Sequence, residues 1–378
     1  MVRSFEALAA AGHTLTVVAP DGGDRHAGRR AVEALASHVR LVTVPTGAGS
    51  RAVDALRSLF GPRPWTVVRH TLPAMAKTVE RLLSEESFDG LVAEQVQALG
   101  SLPSHSPRPD GVPVVWRAQN VESDLWRSTA SEAPWILRPW LAREARRLAA
   151  WEGRQVDRFP ATLTLTREDR ERLGELAREG AGGSGGGALH HLPAPFPGEL
   201  PTADAPLPGA PAVVLFGSGG WRPNRSASDW FCRHAWPAIV AELPEARLHV
   251  FGPAPDDLSA VERHPYPAES RDAFPPGSIL VVPLFVASGV RMKILEAWAR
   301  GIPVVATATA ARGLDATDGR ELLLAETAED FAHALGRLHR EPDLRPAIAD
   351  AARQKLVDDH APAVFARRFE AVWGVLPR

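Results

Sequence analysis

Short apolar runs alternate along this chain with longer stretches whose apolar residues recur at helical spacing. That alternation predicts parallel strands joined by crossover helices, an α/β protein. In the first half it places strands at Thr14–Ala19, Val39–Val44, Phe88–Ala93, Val112–Trp116 and Thr162–Leu165. Helices are expected at Pro64–Glu86 and Leu137–Arg154. In the second half strands are expected at Ala212–Phe216, Arg247–Phe251, Ile279–Pro283, Val304–Thr307 and Glu321–Leu324. The helices there fall near Arg225–Glu242, Gly289–Arg300, Ala328–His339 and Leu344–Asp358.

The start of the chain breaks the pattern. Met1–Ala11 reads as a helix, with Val2, Phe5 and Leu8 on one side, before the turn Gly12-His13. A Rossmann-like half opens with a strand and a Gly-rich loop before its first helix. Either the reading frame begins too late, or the first half lacks a central strand. A boundary is legible near the middle. Gly180–Gly187 is nearly all small residues, and Pro193–Pro211 is dense in proline, so neither is expected to form a packed element. Two Rossmann-like halves are therefore expected: residues 1–195, a linker at 196–210, and residues 211–360.

With 378 residues, 45% hydrophobic content and a net charge of −2, the chain reads as a soluble two-domain protein with no nucleic-acid partner. The single cysteine, Cys232, excludes an internal disulfide framework and fits a reducing compartment. No apolar run reaches the ~20 residues that span a bilayer, and no leader peptide opens the chain, so a cytoplasmic location is expected. Lysine occurs only at Lys77, Lys293 and Lys355 in an arginine-rich chain.

The densest chemistry lies in ILVVPLFVASGVRMKILEAWARGIPVVATATAARGL, Ile279 to Leu314. A buried strand meets the turn Ala287-Ser288-Gly289, and a helix follows with Arg291, Lys293 and Glu296 in its first turns. Unpaired N–H groups at such a helix start favour an anion. Arg291 as a planar fork and Lys293 as a point charge suit a diphosphate; otherwise they are two solvated surface cations. Glu296 lies among Ile294, Leu295, Ala297, Trp298 and Ala299 and needs a partner. Ribose hydroxyls are one partner, and an i,i+4 ion pair with Arg300 is the other.

Gly217-Ser218-Gly219-Gly220 after the strand VVLF is either a phosphate-binding turn or a tight turn for close packing. The next strand ends in Phe251-Gly252-Pro253 with no carboxylate, which disfavours a dehydrogenase. Gln119, Asn120 and Glu122 follow the strand VPVVWRA, and Glu94-Gln95 follows FDGLVA. Both groups occupy the strand ends where α/β proteins bind ligands, although Asn120 or Ser123 also suits a helix cap. Leu137–Arg158 combines an apolar stripe with six arginines and three acids, so peripheral contact with the cytoplasmic membrane face competes with ordinary packing on the core. The thirteen histidines show no metal-ligand spacing, His190 and His191 being adjacent. No Asp-x-Asp or Gly-x-Ser-x-Gly occurs, so no metal site and no hydrolase chemistry is expected.

The segment SGVRMKILEAWARGIPVVATATAARGL with the trailing DGRELLLAETAEDFAHAL, and the weaker pieces FGSGGWRPNRSASDWF, LHVFGPAP, QNVES and LTREDRERL, resembles family 4 glycosyltransferases of bacterial exopolysaccharide and cell-surface glycan synthesis. The resemblance implies a GT-B fold: two Rossmann-like domains facing across a cleft, the first lacking its opening strand, with the final helix, 361–376, packing back on the first domain. It implies that Glu296 holds the ribose and that Arg291 and Lys293 meet the diphosphate. Ser288, Gly289 and Val290 would bind the distal phosphate and sugar. Gly217, Ser218 and Gly219 would line the diphosphate, and Gly252 and Pro253 would lie near the base. Gln119, Asn120 and Glu122 would hold the sugar and acceptor. Ser288 stands where the family's first glutamate is found, and Gln119 where relatives often have a histidine. The implied reaction is retaining, metal-independent transfer from a nucleoside-diphosphate sugar to a glycan or lipid-linked acceptor, with no cofactor. An epimerase on the same fold, or a non-catalytic paralogue, are the alternatives.

Overall fold

The computed structural model describes residues 1–21, 38–46, 58, 61–102, 111–181, 187–255, 261–286 and 289–376. The chain divides into two units, Met1–Pro195 with Pro362–Arg378, and Phe196–Ala361. Among the described residues, no helix is long and apolar enough to cross a membrane.

In the first unit, helix Val2–Ala10 leads into β1 (Leu15–Asp21), which pairs in parallel with β2 (Val39–Pro45) in a sheet of their own. β3 (Leu91–Glu94), β4 (Val114–Ala118), β5 (Ala161–Thr164) and β6 (Ala188–His191) make a separate parallel sheet in that order. β4 is buried along its whole length, as expected of a strand covered on both faces. Among the described residues no strand links β1 to β3. Helix Val2–Ala10 instead touches both sheets. Val2, Phe5 and Ala9 cluster with Val17, Val39 and Leu41, while Ala7 and Leu8 cluster with Val115, Ala161 and Leu163. Helix Pro362–Gly374 belongs to this unit and buries Phe365 and Val372 in the second of these clusters.

The second unit holds one parallel sheet: β7 (Ala212–Phe216), β8 (Arg247–Phe251), β9 (Val261–His264), β10 (Ile279–Val282), β11 (Val304–Ala306) and β12 (Leu323–Leu324). Their spatial order is β12-β11-β10-β7-β8-β9. The chain runs outward from β7 to β9, then returns to β10 on the other side of β7. The strand order therefore reverses between β7 and β10, where open α/β sheets bind ligands at the strands' carboxyl ends. Two apolar clusters cover the two faces, one centred on Phe274, Trp298 and Leu356 and the other on Phe231, Ile239 and Phe331.

Several elements depart from the sequence pattern. Pro64–Glu86 is two helices, Trp65–His70 and Pro73–Glu85, because Leu72, next to Pro73, is extended at φ −115°. Arg225–Glu242 is broken into Arg222–Trp230 and Trp236–Glu242 by a wide turn at Phe231–Ala235. Pro237 has no N–H to continue the regular ladder there. Residues 196–210 carry no helix or strand, yet they are fastened to the second unit. Phe196, Leu200, Ala203 and Ala210 donate backbone N–H bonds to the carbonyls of His360, Ala299, Phe274 and Glu245. The stretch expected as a linker is a strap on that unit, and most of the Gly-rich run lies outside the described residues.

Candidate functional site

The carboxyl ends of β7 and β10 each lead toward a helix, Arg222–Trp230 and Met292–Ala299. Between them lies a pocket lined by Phe216, Gly217, Asn224, Pro253, Pro283 and Lys293, among others. Helix Met292–Ala299 starts later than the apolar pattern predicts. Gly289 has φ +69°, and Arg291 caps the helix at φ −81°, ψ 87°. Gly289 and Val290 therefore belong to the loop, and Lys293 sits in the first turn. Ser288 lies outside the described residues.

Lys293 points across the reversal. Its Nζ donates to the carbonyl oxygen of Phe216 at 2.5 Å and to Asn224 Oδ1 at 3.2 Å. Burial, and then the charge of Arg291, push its pKa down from 10.5 to about 8. Arg291 is buried and donates to the carbonyl oxygen of Gly289. The pair is thus not the two solvated cations of the alternative sequence reading.

The Gly217–Gly220 turn is held from below. Asn224 Nδ2 donates to the Ser218 carbonyl at 3.2 Å and Arg225 Nη1 to that of Gly219 at 2.8 Å. The N–H of Gly217 is already spent on Phe251 O at 3.1 Å. Gly252 has φ +127°, and a Cβ there would run into the Gly217 carbonyl oxygen, so both conformation and space require glycine. Ser228 Oγ donates to Pro253 O at 2.6 Å. These bonds bring the ends of β7 and β8 together.

Glu296 lies one turn beyond Lys293 and is half-buried. Its Oε1 accepts from Arg300 Nη2 at 2.6 Å and from Ser270 Oγ at 2.5 Å. The ion pair with Arg300 that the spacing offers does form. Oε2 takes no hydrogen bond among the described residues, so one carboxylate oxygen is left for hydroxyl donors.

In the first unit the ends of β3 and β4 form a separate polar network. Glu94 accepts from Arg117 Nη1 at 2.9 Å and from Gln119 Nε2 at 3.0 Å, and Gln95 Nε2 donates to Gln119 Oε1 at 3.3 Å. Gln95 carries φ +70°, uncommon for a residue with a side chain. Asn120 Nδ2 donates to Glu122 Oε2 at 3.4 Å. Glu122 begins helix Glu122–Glu132, whose first N–H groups are capped by Glu152 rather than by Asn120 or Ser123. Gln119, Asn120 and Glu122 are thus brought together with Glu94 and Gln95.

Residues 210–341 match the family model "Glycosyl transferases group 1". The match covers about a third of the chain and takes in all six strands of the second unit. No curated protein matches it in sequence. Similar solved structures cover nearly all of it. The Anabaena protein Alr3699/HepE in complex with UDP is 14% identical, with 96% of this chain and 100% of that one covered and a TM-score of 0.61. Sucrose-phosphate synthase from Thermosynechococcus elongatus is 14% identical over 96% and 98% of the two chains, with a TM-score of 0.61. A glycosyltransferase from Rickettsia africae is 10% identical over 98% and 92%, with a TM-score of 0.62. The fold is that of the GT-B glycosyltransferases.

In the second unit, the residues that sequence reasoning missed are those that hold the others. Asn224, Ser228 and Ser270 support Lys293, Pro253 and Glu296 from segments distant in sequence, and no local spacing marks them. Tyr266, the chain's single tyrosine, is 56% exposed and stacks on Phe216 at 5.5 Å. Cys232 is buried, and burial pushes its thiol up to about 11, so it is no nucleophile.

Proposed function

We propose that this chain moves a sugar from a nucleoside-diphosphate sugar to a glycan or lipid-linked acceptor, with retention at the sugar carbon and no metal on the diphosphate. The observation that carries the reading is Lys293. It is a cation at the point where the strand order reverses, beside Arg291 and one helical turn before Glu296, whose Oε2 takes no hydrogen bond among the described residues. Lys293 and Arg291 would draw off the leaving diphosphate, the task that metals perform elsewhere. Glu296 Oε2 would accept from the ribose hydroxyls while Arg300 and Ser270 hold Oε1. Among the described residues, those lining the pocket between β7 and β10 include no carboxylate. Departure of the diphosphate with entry of the acceptor on the same face is the chemistry that fits. Gln119, Asn120 and Glu122 would meet the sugar and acceptor.

UDP is the first nucleotide to test, since the HepE structure contains it. Calorimetry with UDP should give binding in the wild type and a loss of roughly 10-fold or more in Arg291→Ala, the range of one charged hydrogen bond. Mass spectrometry of products from a panel of nucleotide sugars then identifies the donor. Release of UDP in step with glycosylated acceptor supports transfer, whereas a converted nucleotide sugar without release supports the epimerase. Unchanged UDP affinity in Arg291→Ala and Glu296→Ala would remove the site assignment.

A membrane-facing acceptor is favoured by one surface feature. Trp135 and Ile136 are 79% and 68% exposed, beside Leu137 and Arg138 at the start of helix Arg138–Arg158. The remainder of the apolar stripe, Leu141, Leu148 and Trp151, is packed in the protein. Contact with lipid is therefore proposed for the tip of this helix and not for its length.

A further inference from the structure

The sequence offers no histidine spacing for a metal, yet the fold brings two histidines and a glutamate together in the second unit. His249 lies in β8, and Glu262 and His264 lie in β9. His249 is directly opposite Glu262 in the parallel register, and His264 follows two residues later, so all three side chains share one face of the sheet. Their ligand atoms lie within 4.8 Å of one another. His249 Nδ1 is 3.1 Å from His264 Nε2 and 3.3 Å from Glu262 Oε2.

These separations have a specific meaning. Ligands at about 2.0–2.2 Å from a tetrahedral ion stand about 3.3–3.6 Å from one another. The observed spacing of the first two pairs is already close to an edge of that tetrahedron. The far side of His249 is also prepared. Its Nε2 lies 2.9 Å from the carbonyl oxygen of Pro208, which can only accept, so this nitrogen carries the proton. Nδ1 is then left with its lone pair aimed at the other two groups. A ring N–H held by a backbone carbonyl is the usual support of a metal-binding histidine. His264 is fixed in turn by stacking on Phe251 at 4.4 Å. His249 is fully buried, while Glu262 and His264 are half-buried, so the cluster opens on one side.

We propose that His249 Nδ1, His264 Nε2 and the Glu262 carboxylate form a divalent-metal site of the zinc type, with a fourth position open to solvent. Two imidazoles and a carboxylate favour zinc over magnesium or calcium, which prefer all-oxygen ligands. The ion would tie edge strand β9 to β8 and, through His249 and Pro208, to the strap at 196–210. The site is structural, and it is distinct from the cations proposed for the diphosphate.

The test is titration of Zn²⁺ alone into the full chain after chelator treatment and dialysis, in a buffer that does not bind metal. The wild type should take up one equivalent tightly, and its melting temperature should rise with Zn²⁺. His264→Ala and Glu262→Gln, both half-buried on an edge strand, should each bind at least 30-fold more weakly and lose the thermal shift. His190→Ala serves as the control and should retain both. Co²⁺ in place of Zn²⁺ should give the intense visible bands of a four-coordinate site. The proposal is overturned if the wild type takes up no equivalent of Zn²⁺, if His264→Ala binds as tightly as the wild type, or if Co²⁺ stays six-coordinate.

Discussion

Lys293 Nζ donates to the carbonyl oxygen of Phe216, the last residue of β7, across 77 positions of sequence and 2.5 Å of space. This bond ties the helix that follows β10 to the end of β7; β7 and β10 are the two strands between which the order of the sheet reverses. It also leaves an ammonium among Phe216, Leu284 and Ala227, where it is poorly hydrated.

That environment predicts a pH dependence for nucleotide binding. Burial and Arg291 hold the Lys293 pKa at about 8, below its ordinary 10.5. Below about pH 8 the free protein presents the charged form that a diphosphate needs; above it the proton is lost. UDP affinity should therefore be flat up to about pH 8 and fall by up to about tenfold per pH unit above it. Lys293→Arg, which stays charged, should remove that fall, and Lys293→Met should bind weakly throughout. Calorimetry at pH 6.5 to 9.5 checks this, and a wild-type affinity that does not change across the range would refute it.

The division of labour between Lys293 and Glu296 is separable. Glu296→Gln should weaken UDP by roughly 10-fold or more, since a hydrogen bond to a charged group contributes about 1.5–3 kcal/mol. It should leave inorganic pyrophosphate binding unchanged, because the ribose is missing. Lys293→Ala should weaken both ligands. Competition of pyrophosphate against a fluorescent nucleotide reads both variants, and equal losses of UDP and pyrophosphate in Glu296→Gln would place Glu296 away from the ribose.

Much of this geometry follows patterns that a sequence displays, and some of it does not. β7 and β8 fall at Ala212–Phe216 and Arg247–Phe251, as the apolar runs predict, because both strands are covered on two faces. β6 and β9 read as ALHH and VERH in the chain; they are edge strands with polar positions, and no apolar run marks them. Missing β9 hid the approach of His249 to His264, since those residues have no helical or loop spacing. Helix Met292–Ala299 begins three residues after Gly289 because Gly289 and Arg291 hold non-helical backbone angles, which composition does not reveal. The partners of Lys293 and Glu296, namely Asn224 and Ser270, are set by tertiary packing. A residue-by-residue reading finds the charged groups and misses what orients them.

Glu152 predicts a second pH effect, on stability. It is fully buried, and its carboxyl group accepts from the backbone N–H groups of Glu122 at 2.9 Å and Ser123 at 3.1 Å. Burial outweighs those donors and raises its pKa from 4.5 to about 8. Between these two values the folded protein keeps a proton that the unfolded chain has released, so this contribution is full below about pH 4.5 and is lost as pH rises toward 8. Glu152→Gln cannot titrate. Its stability relative to the wild type should therefore improve from pH 5 to about pH 8 and level off above that. Urea unfolding at each pH measures the difference, and a constant difference across the range would count against a raised Glu152 pKa.

The exposed tip of helix Arg138–Arg158 sets the last expectation. Trp65, Trp126 and Trp140 pack edge-on against one another with ring centres 5.8 to 5.9 Å apart, and this cluster braces the start of the helix. Trp135 and Ile136 are exposed at 79% and 68%, and among the described residues neither has such a ring contact. A tryptophan and an isoleucine beside arginines suit the interface of an anionic bilayer, where apolar burial and charge attraction add. Vesicles containing anionic phospholipid should therefore co-sediment with the wild type, and more weakly as salt is raised. Trp135→Ala with Ile136→Ala should reduce binding about tenfold or more, given roughly 1.5–3 kcal/mol for each large apolar side chain fully buried. UDP affinity should be unaffected, because neither residue belongs to the unit that carries Lys293. Equal sedimentation of wild type and double variant would assign these side chains no lipid contact.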